Sequence, residues 1–249
     1  MINWLPPPSD LELADREVHI WRIDLNLPID QLRLVRYTLS EDERRRASRF
    51  YFKRDQDRYV AARAGLRDIL GRYLGRGPGD LSFQYNRHGK PSLVDGDYKD
   101  CVGFNLSHSG DIALVAVVRG SGVGIDIERI RMDFTGEDIA SRFFSPVEMK
   151  AIQAQPLEKR HIAFFSCWTR KESYIKARGE GLSIPLDAFD VSVGPDEPPR
   201  LLANRSDPIE VTRWSMFHLE PGKDYIGSLT AETGKWVLRY WRWELIINP

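Results

Sequence analysis

From Val18 to Leu25 apolar and polar side chains alternate with the period of a strand. The pattern then changes to that of helices. Ser40 followed three residues later by Glu43 is a capping box, which predicts a helix start. A second helix is predicted over Gln56–Leu74, stopped by Gly75-Arg76-Gly77-Pro78-Gly79. Short strands are predicted over Leu81–Tyr85, Val102–Leu106 and Ile112–Val118, and strict alternation predicts another over Val123–Ile130. A helix follows around Gly136–Phe144. Ser145-Pro146-Val147-Glu148 is a second capping box, with proline at the first helical position. A long helix is predicted over Glu158–Arg178, with Gly179 as its C-cap. Beyond Leu186 the pattern predicts antiparallel strands over Ala188–Val193, Glu210–Leu219, Tyr225–Leu229 and Trp236–Ile246, separated by proline-containing loops.

The order repeats. Ser40 leads to Gly75 in 35 residues and Ser145 to Gly179 in 34, and each unit reads as strand, capped helix, longer helix, then strands. The expected fold class is therefore α+β, with two similar α/β subdomains related by a pseudo-two-fold axis.

The 249 residues are 42% hydrophobic and 29% charged, enough apolar matter for a sizeable core. Thirty-six basic residues balance thirty-six acidic ones, so no global field favours nucleic acid or an anionic membrane. The longest apolar run, Ile112 to Val118, is too short to span a bilayer. Residues 1–8 lack the charged start and apolar core of a signal peptide. The two cysteines, Cys101 and Cys167, have no metal-ligand spacing. A cytoplasmic protein without nucleic-acid or membrane partners is expected.

Three stretches carry candidate chemistry. In the long helix Trp168, Glu172 and Lys176 lie four residues apart on one face, a stripe extended by Phe164, Phe165 and Ile175. A carboxylate removed from water there costs several kcal/mol unless a cation or donors compensate it. A surface Glu–Lys pair fits that segment equally well. On the strand at Val123–Ile130, Asp126 and Glu128 project from one side, with Ile125 and Ile127 on the other. That pair suits either a shared divalent cation or an exposed polar sheet face. From Glu41 to Arg76 eleven Lys and Arg stand against six Asp and Glu, which fits a solvated helix surface or an anion site. Gly120-Ser121-Gly122-Val123-Gly124 precedes a strand instead of following one, which excludes a dinucleotide fingerprint.

Val123-Gly124-Ile125-Asp126-Ile127-Glu128 followed by Trp168-Thr169-x-Lys171-Glu172-Ser173-x-x-Lys176 resembles the paired signature motifs of 4'-phosphopantetheinyl transferases. Gly89-Lys90-Pro91 and Phe104-Asn105-Leu106-Ser107-His108-Ser109-Gly110 are similar to that family's upstream motif. The resemblance spans Leu39 to Phe189. The length and the duplication look like the larger, surfactin-synthetase-activating type, a monomeric pseudo-dimer unlike the short trimeric carrier-protein synthases.

The resemblance implies transfer of 4'-phosphopantetheine from coenzyme A to a serine of an acyl or peptidyl carrier protein, with release of 3',5'-ADP. It implies Mg2+, with Mn2+ as an alternative, held by Asp126, Glu128 and Glu172. Either Glu172 or a water on the metal would take the serine proton, and Lys176 would face the leaving phosphate. Arg46 and Arg58 would contact the 3'-phosphate side of coenzyme A, with Lys90, Ser107 and His108 completing its site. Residues 1–119 would form a coenzyme cradle and 120–249 would carry the metal and catalytic motifs. Where the family has a basic residue three positions before Arg46, this chain has Glu43, already explained by the capping box, and no binding role is transferred to it. Arg129, Arg131, Met132, Phe134, Arg142, Phe143 and Phe144 are a candidate carrier surface, or, for the phenylalanines, core. The competing reading is a carrier- or phosphate-binding module without catalysis; the carboxylates and Lys176 argue against it. Ser107 beside His108 lacks the elbow of a hydrolase nucleophile.

Overall fold

The computed structural model describes residues 2–94, 102–120, 122–131, 140, 142–194 and 196–245. The first half runs β1 (Glu17–Asp24), α1 (Ile29–Arg36), α2 (Glu41–Ala47), α3 (Lys53–Leu74), β2 (Phe83–Tyr85), β3 (Pro91–Leu93), β4 (Val102–Ser109) and β5 (Ile112–Arg119). The second runs β6 (Val123–Arg129), α4 (Pro146–Gln153), α5 (Leu157–Arg178), β7 (Phe189–Val191), β8 (Leu201–Asn204), α6 (Glu210–Arg213), β9 (Trp214–Leu219), β10 (Tyr225–Glu232) and β11 (Val237–Arg242). Most of the helix predicted around Gly136–Phe144 lies outside the described residues, as do Met132 and Phe134 of the candidate carrier surface.

Both capping boxes form. The Ser40 and Ser145 hydroxyls accept from the Glu43 and Glu148 amides, and each glutamate accepts from its serine's amide in return. Each long helix ends on a glycine in the left-handed region, Gly75 at φ 60° and Gly179 at φ 70°. The two capping glutamates are also buried ion-pair partners of those helices. Glu43 is held by Arg63 and by Arg67, whose Nε lies 2.6 Å from Oε2. Glu148 Oε1 lies 2.8 Å from Lys171 Nζ.

The strand order repeats as well. β5 lies between β1 and β4 in the first sheet, and β10 between β6 and β9 in the second, all antiparallel. β11 departs from the antiparallel expectation: it leaves the second half and pairs in parallel with β1, from Glu17 opposite Val237 to Arg22 opposite Arg242. Glu210–Leu219 departs too. It starts as the helical turn α6, because the buried Glu210 carboxylate accepts from Tyr174, Arg178, Arg213 and Trp214.

Among the described residues the apolar side chains sort into three cores. Trp21, Ile23, Leu66, Ile69, Phe104 and Val115 seal α3 against the first sheet. Val18, Ile20, Leu114 and Ala116 meet Ile125, Ile127 and Leu229 between the two sheets. Phe164, Tyr174, Ile175, Phe189 and Met216 surround α5 on the outer side of the second sheet. No described helix is long and apolar enough to cross a membrane.

Candidate active site

The α5 helix is buried nearly all round between Ala163 and Ala177. In that stretch only Trp168, Glu172 and Lys176 are partly exposed. The stripe expected to face the interior therefore lines a cleft, while the core takes the other faces, including Lys171 and Tyr174. Trp168 is wedged among Phe143, Phe144 and Phe164, with ring centroids 6.1–6.3 Å apart, and this fixes the upper end of the stripe.

The cleft's other wall is β6. At Gly124 an added Cβ would lie 2.1 Å from the Ser173 carbonyl oxygen and 2.3 Å from the Ala177 nitrogen. Only glycine permits that approach, and it draws the α5 backbone close enough for Lys176 to reach Asp126. Lys176 Nζ lies 2.6 Å from Asp126 Oδ1 and donates to Ser107 Oγ at 3.0 Å. The surface Glu172–Lys176 pair is thereby ruled out as the resting partnership. Asp126, only 3% exposed, is likewise not on an open polar sheet face.

β4 supplies the third side. Its alternate residues reach across the gap between the two sheets: Asn105 Oδ1 accepts from the Ile125 amide at 2.8 Å, Ser107 Oγ donates to Asp126 at 2.8 Å, and Ser109 Oγ donates to Glu128 Oε2 at 2.8 Å. Sequence reading singled out Ser107 and His108 and passed over Asn105 and Ser109. The signal that would have found them is period two: the residues that reach the carboxylate strand are alternate ones.

Electrostatics bind the cluster together. Burial, with Asp126 and Glu128 nearby, outweighs Lys176 and pushes the Glu172 carboxyl up to about 7. Burial and Asp126 raise Glu128, against donation from Ser109 and Trp168. Burial opposes the Lys176 charge, but Asp126 and Glu172 hold its proton affinity above the ordinary value. His108 is open to solvent on one side; the protein around it, then Lys176 and Arg58, lower its proton affinity.

The oxygen donors suit a hard divalent cation. Asp126 Oδ2 is buried with no hydrogen-bond partner, and burial together with the Asp126 charge makes Glu128 and Glu172 resist ionisation despite Lys176, a strain that a divalent cation would relieve. In this conformation no three acidic, His or Cys side chains among the described residues close into a metal-holding group, and the Lys176 ammonium already sits on Oδ1. The donor set therefore fits Mg2+ chemically, with side-chain adjustment on binding.

The expected coenzyme residues divide. Ser107 joins the carboxylates, while His108, the next residue on β4, is exposed and feels Lys176, Arg58 and Asp126 only through space. Arg46 lies on a separate cavity of about 570 Å³ that Arg45, Arg49, Tyr59 and Tyr85 share with the acidic Asp42 and Glu43, its guanidinium 5.7 Å from the Tyr59 ring centre. Arg58 is paired with Asp111 and lies 3.8 Å from Asp55. Lys90 points inward, donating to three backbone carbonyls, and burial lowers its proton affinity to about 8. Beside Glu172 and Lys176 a pocket of about 300 Å³ is bordered by Lys90 as well as Asn105, Leu106, Ile175 and Leu182. Of the candidate carrier surface, Arg142 and Phe143 are exposed and Phe144 is buried.

Comparison with known proteins bears on both halves. A family model described as the 4'-phosphopantetheinyl transferase superfamily matches residues 122–230, and one described as 4'-phosphopantetheinyl transferase, N-terminal, matches residues 28–119. The 4'-phosphopantetheinyl transferase HetI of Nostoc sp. (strain PCC 7120) is 39% identical over 241 residues, covering 97% of this chain and 98% of its own. A 4'-phosphopantetheinyl transferase of Bacillus subtilis is 37% identical over 161 residues, covering 64% of this chain and 68% of its own. Sfp of Bacillus subtilis (strain 168) is 32% identical over 179 residues, covering 71% and 77%. With a relative aligned almost end to end and a family match on each half, the chain belongs to the 4'-phosphopantetheinyl transferase superfamily, as an enzyme of its longer, Sfp-like type.

Proposed function

We propose that the protein transfers 4'-phosphopantetheine from coenzyme A to a serine of an acyl or peptidyl carrier protein, acting as a cytoplasmic monomer that depends on Mg2+. The serine oxygen forms a bond to the pantetheine-side phosphorus, the pyrophosphate P–O bond breaks, and 3',5'-ADP departs. The observation that carries this reading is the orphaned, buried Asp126 oxygen, in a strand-and-helix cleft where Glu128 and Glu172 both feel the Asp126 charge. These three would hold Mg2+, which when bound supplies charge stabilisation to the pyrophosphate.

The chain's own side chains supply the rest. Glu172, with a proton affinity near neutrality, is matched to accept the serine proton. Lys176 keeps its charge across the physiological range and faces the departing phosphate, which as an anion needs stabilisation more than protonation. His108 and Ser107 flank the same place, and Arg46 and Arg58 carry the 3'-phosphate side of the coenzyme. In this reading residues 1–119 form the coenzyme cradle and residues 120–249 the reacting half, related by a pseudo-two-fold axis. The recurrent strand order and the twin buried capping glutamates support that duplication.

The test is incubation of the protein with coenzyme A, Mg2+ and apo carrier proteins from fatty acid, polyketide and peptide synthesis, followed by mass measurement of each carrier. A phosphopantetheine mass gain that disappears with a chelator is expected. No gain on any of them would overturn the proposal.

A further inference from the structure

The turn between β2 and β3 touches the end of the helix that carries Glu172 and Lys176. Asn86 Nδ2 donates to the Gly179 carbonyl at 2.7 Å, and Asn86 Oδ1 accepts from the His88 and Lys90 amides at 2.9 Å, which shapes the turn. Lys90 Nζ then donates to the carbonyls of Lys176 at 2.6 Å, Val123 at 3.0 Å and Ala177 at 3.3 Å. An ammonium has three N–H donors, and here each has a carbonyl acceptor. Two of those acceptors belong to the last turn of α5, where the Lys176 carbonyl otherwise accepts only from the capping Gly179 amide at 3.2 Å and the dipole favours a cation. The third opens β6, three residues before Asp126.

We propose that Lys90 is a positioning residue: its ammonium ties the last turn of α5 to the start of β6, and so sets the placement of Lys176 against Asp126 instead of binding the coenzyme. The stem supports this, since Gly179 approaches it so closely that a Cβ there would lie 3.2 Å from Lys90 Cδ. The tie also crosses the repeat, because a turn of the first half grips two elements of the second. No donor is left over for a phosphate oxygen unless the tie is broken.

The inference rests on the transferase reading, and two measurements separate their fates. In Lys90→Met, which keeps the stem and loses the donors, kcat should fall about tenfold or more. The Kd for coenzyme A, measured by calorimetry without carrier, should stay within about twofold. Amide hydrogen exchange across residues 176–179 should accelerate in the variant, and Lys90→Arg should restore part of both the protection and the turnover. A Kd raised tenfold or more, with kcat and exchange unchanged, would overturn the proposal in favour of coenzyme contact. If the wild type proves inactive on every carrier, the exchange and Kd results still decide the role of Lys90. Should Lys90→Met fail to fold, Asn86→Ala removes the neighbouring tie to Gly179 and the side-chain acceptor of the Lys90 amide, while it keeps the Lys90 ammonium itself. It should give the same pattern, lower kcat and faster exchange at constant Kd; unchanged exchange would count against the clasp.

Discussion

Lys176 reaches across the cleft to Asp126, 2.6 Å from Nζ to Oδ1, and not along its own helix to Glu172. One carboxylate of the three is thus neutralised at rest while the other two remain crowded. Asp126→Asn should abolish transfer, at least about a hundredfold, because it removes both a donor oxygen's charge and the ammonium's anchor. The same change breaks a pair buried on one side and should cost about 1–3 kcal/mol, less than a fully buried pair because Lys176 keeps some contact with water. Turnover assays and thermal melts check the two effects. Near-full Mg2+-dependent activity in the variant would remove Asp126 from the metal site.

Glu172 gives a signed pH dependence. Its folded value near 7 lies above the ordinary 4.5, so between those limits the native protein binds more protons than the unfolded chain. Its stabilising contribution is complete below about pH 4.5 and is lost as pH rises through 7. In chelator, Glu172→Gln should therefore match wild type at low pH and exceed it by about 1–3 kcal/mol at pH 8, a Tm gain of a few degrees, while transfer is lost. Identical melts at pH 8 would show that the carboxylate is not under strain.

Divalent cation should reverse that strain. Mg2+ at about a hundred times its Kd should stabilise the protein by about 2.7 kcal/mol. Below pH 7 the ion must displace a proton from Glu172, so its apparent affinity should fall by up to about tenfold per pH unit. Melts with and without Mg2+ at pH 6 and pH 8 measure this; an equal gain at both would refute it.

The Arg46 cavity is separate from the carboxylates, so its loss should act on binding alone. Arg46→Ala should raise KM for coenzyme A about tenfold and leave KM for dephospho-coenzyme A unchanged, since a charge-assisted phosphate contact carries about 1.5–3 kcal/mol. Equal effects on both substrates would reject the 3'-phosphate assignment.

Glu148 and Lys171, fully buried, are a structural pair far from solvent. Lys171→Met should destabilise by about 3–5 kcal/mol, because Glu148 keeps its backbone partners at Ser145 and Val191 but loses its countercharge. Urea denaturation reads the cost; a loss below about 1 kcal/mol would mean that the backbone partners of Glu148 suffice without Lys171.

What sequence made legible was local. Capping boxes at Ser40 and Ser145 and the stops at Gly75 and Gly179 act within one turn of chain, so they could be placed to within three residues. The sidedness of Asp126 and Glu128 also followed from period two alone. What escaped needed contacts from distant strands. Trp236–Ile246 alternates equally well for either strand direction, and only the vacant side of β1 selects the parallel one. Glu210 became helical because two distant donors, Tyr174 and Arg178, and two local ones, Arg213 and Trp214, gather on its carboxylate. Lys90 drew a coenzyme role by motif, while its committed donors depend on how closely Gly179 approaches its stem.

The parallel pairing of β11 with β1 has a consequence for synthesis. Strands β1, β5 and β4 emerge from the ribosome early, yet one flank of β1 has no partner until residues 237–242 follow. During that interval an open row of amides and carbonyls is available to any other nascent chain. The molecule therefore closes last at the strand it makes first, and a release before Val237 would leave the Asp126–Lys176 cleft on a body with an unsealed, self-adhesive edge.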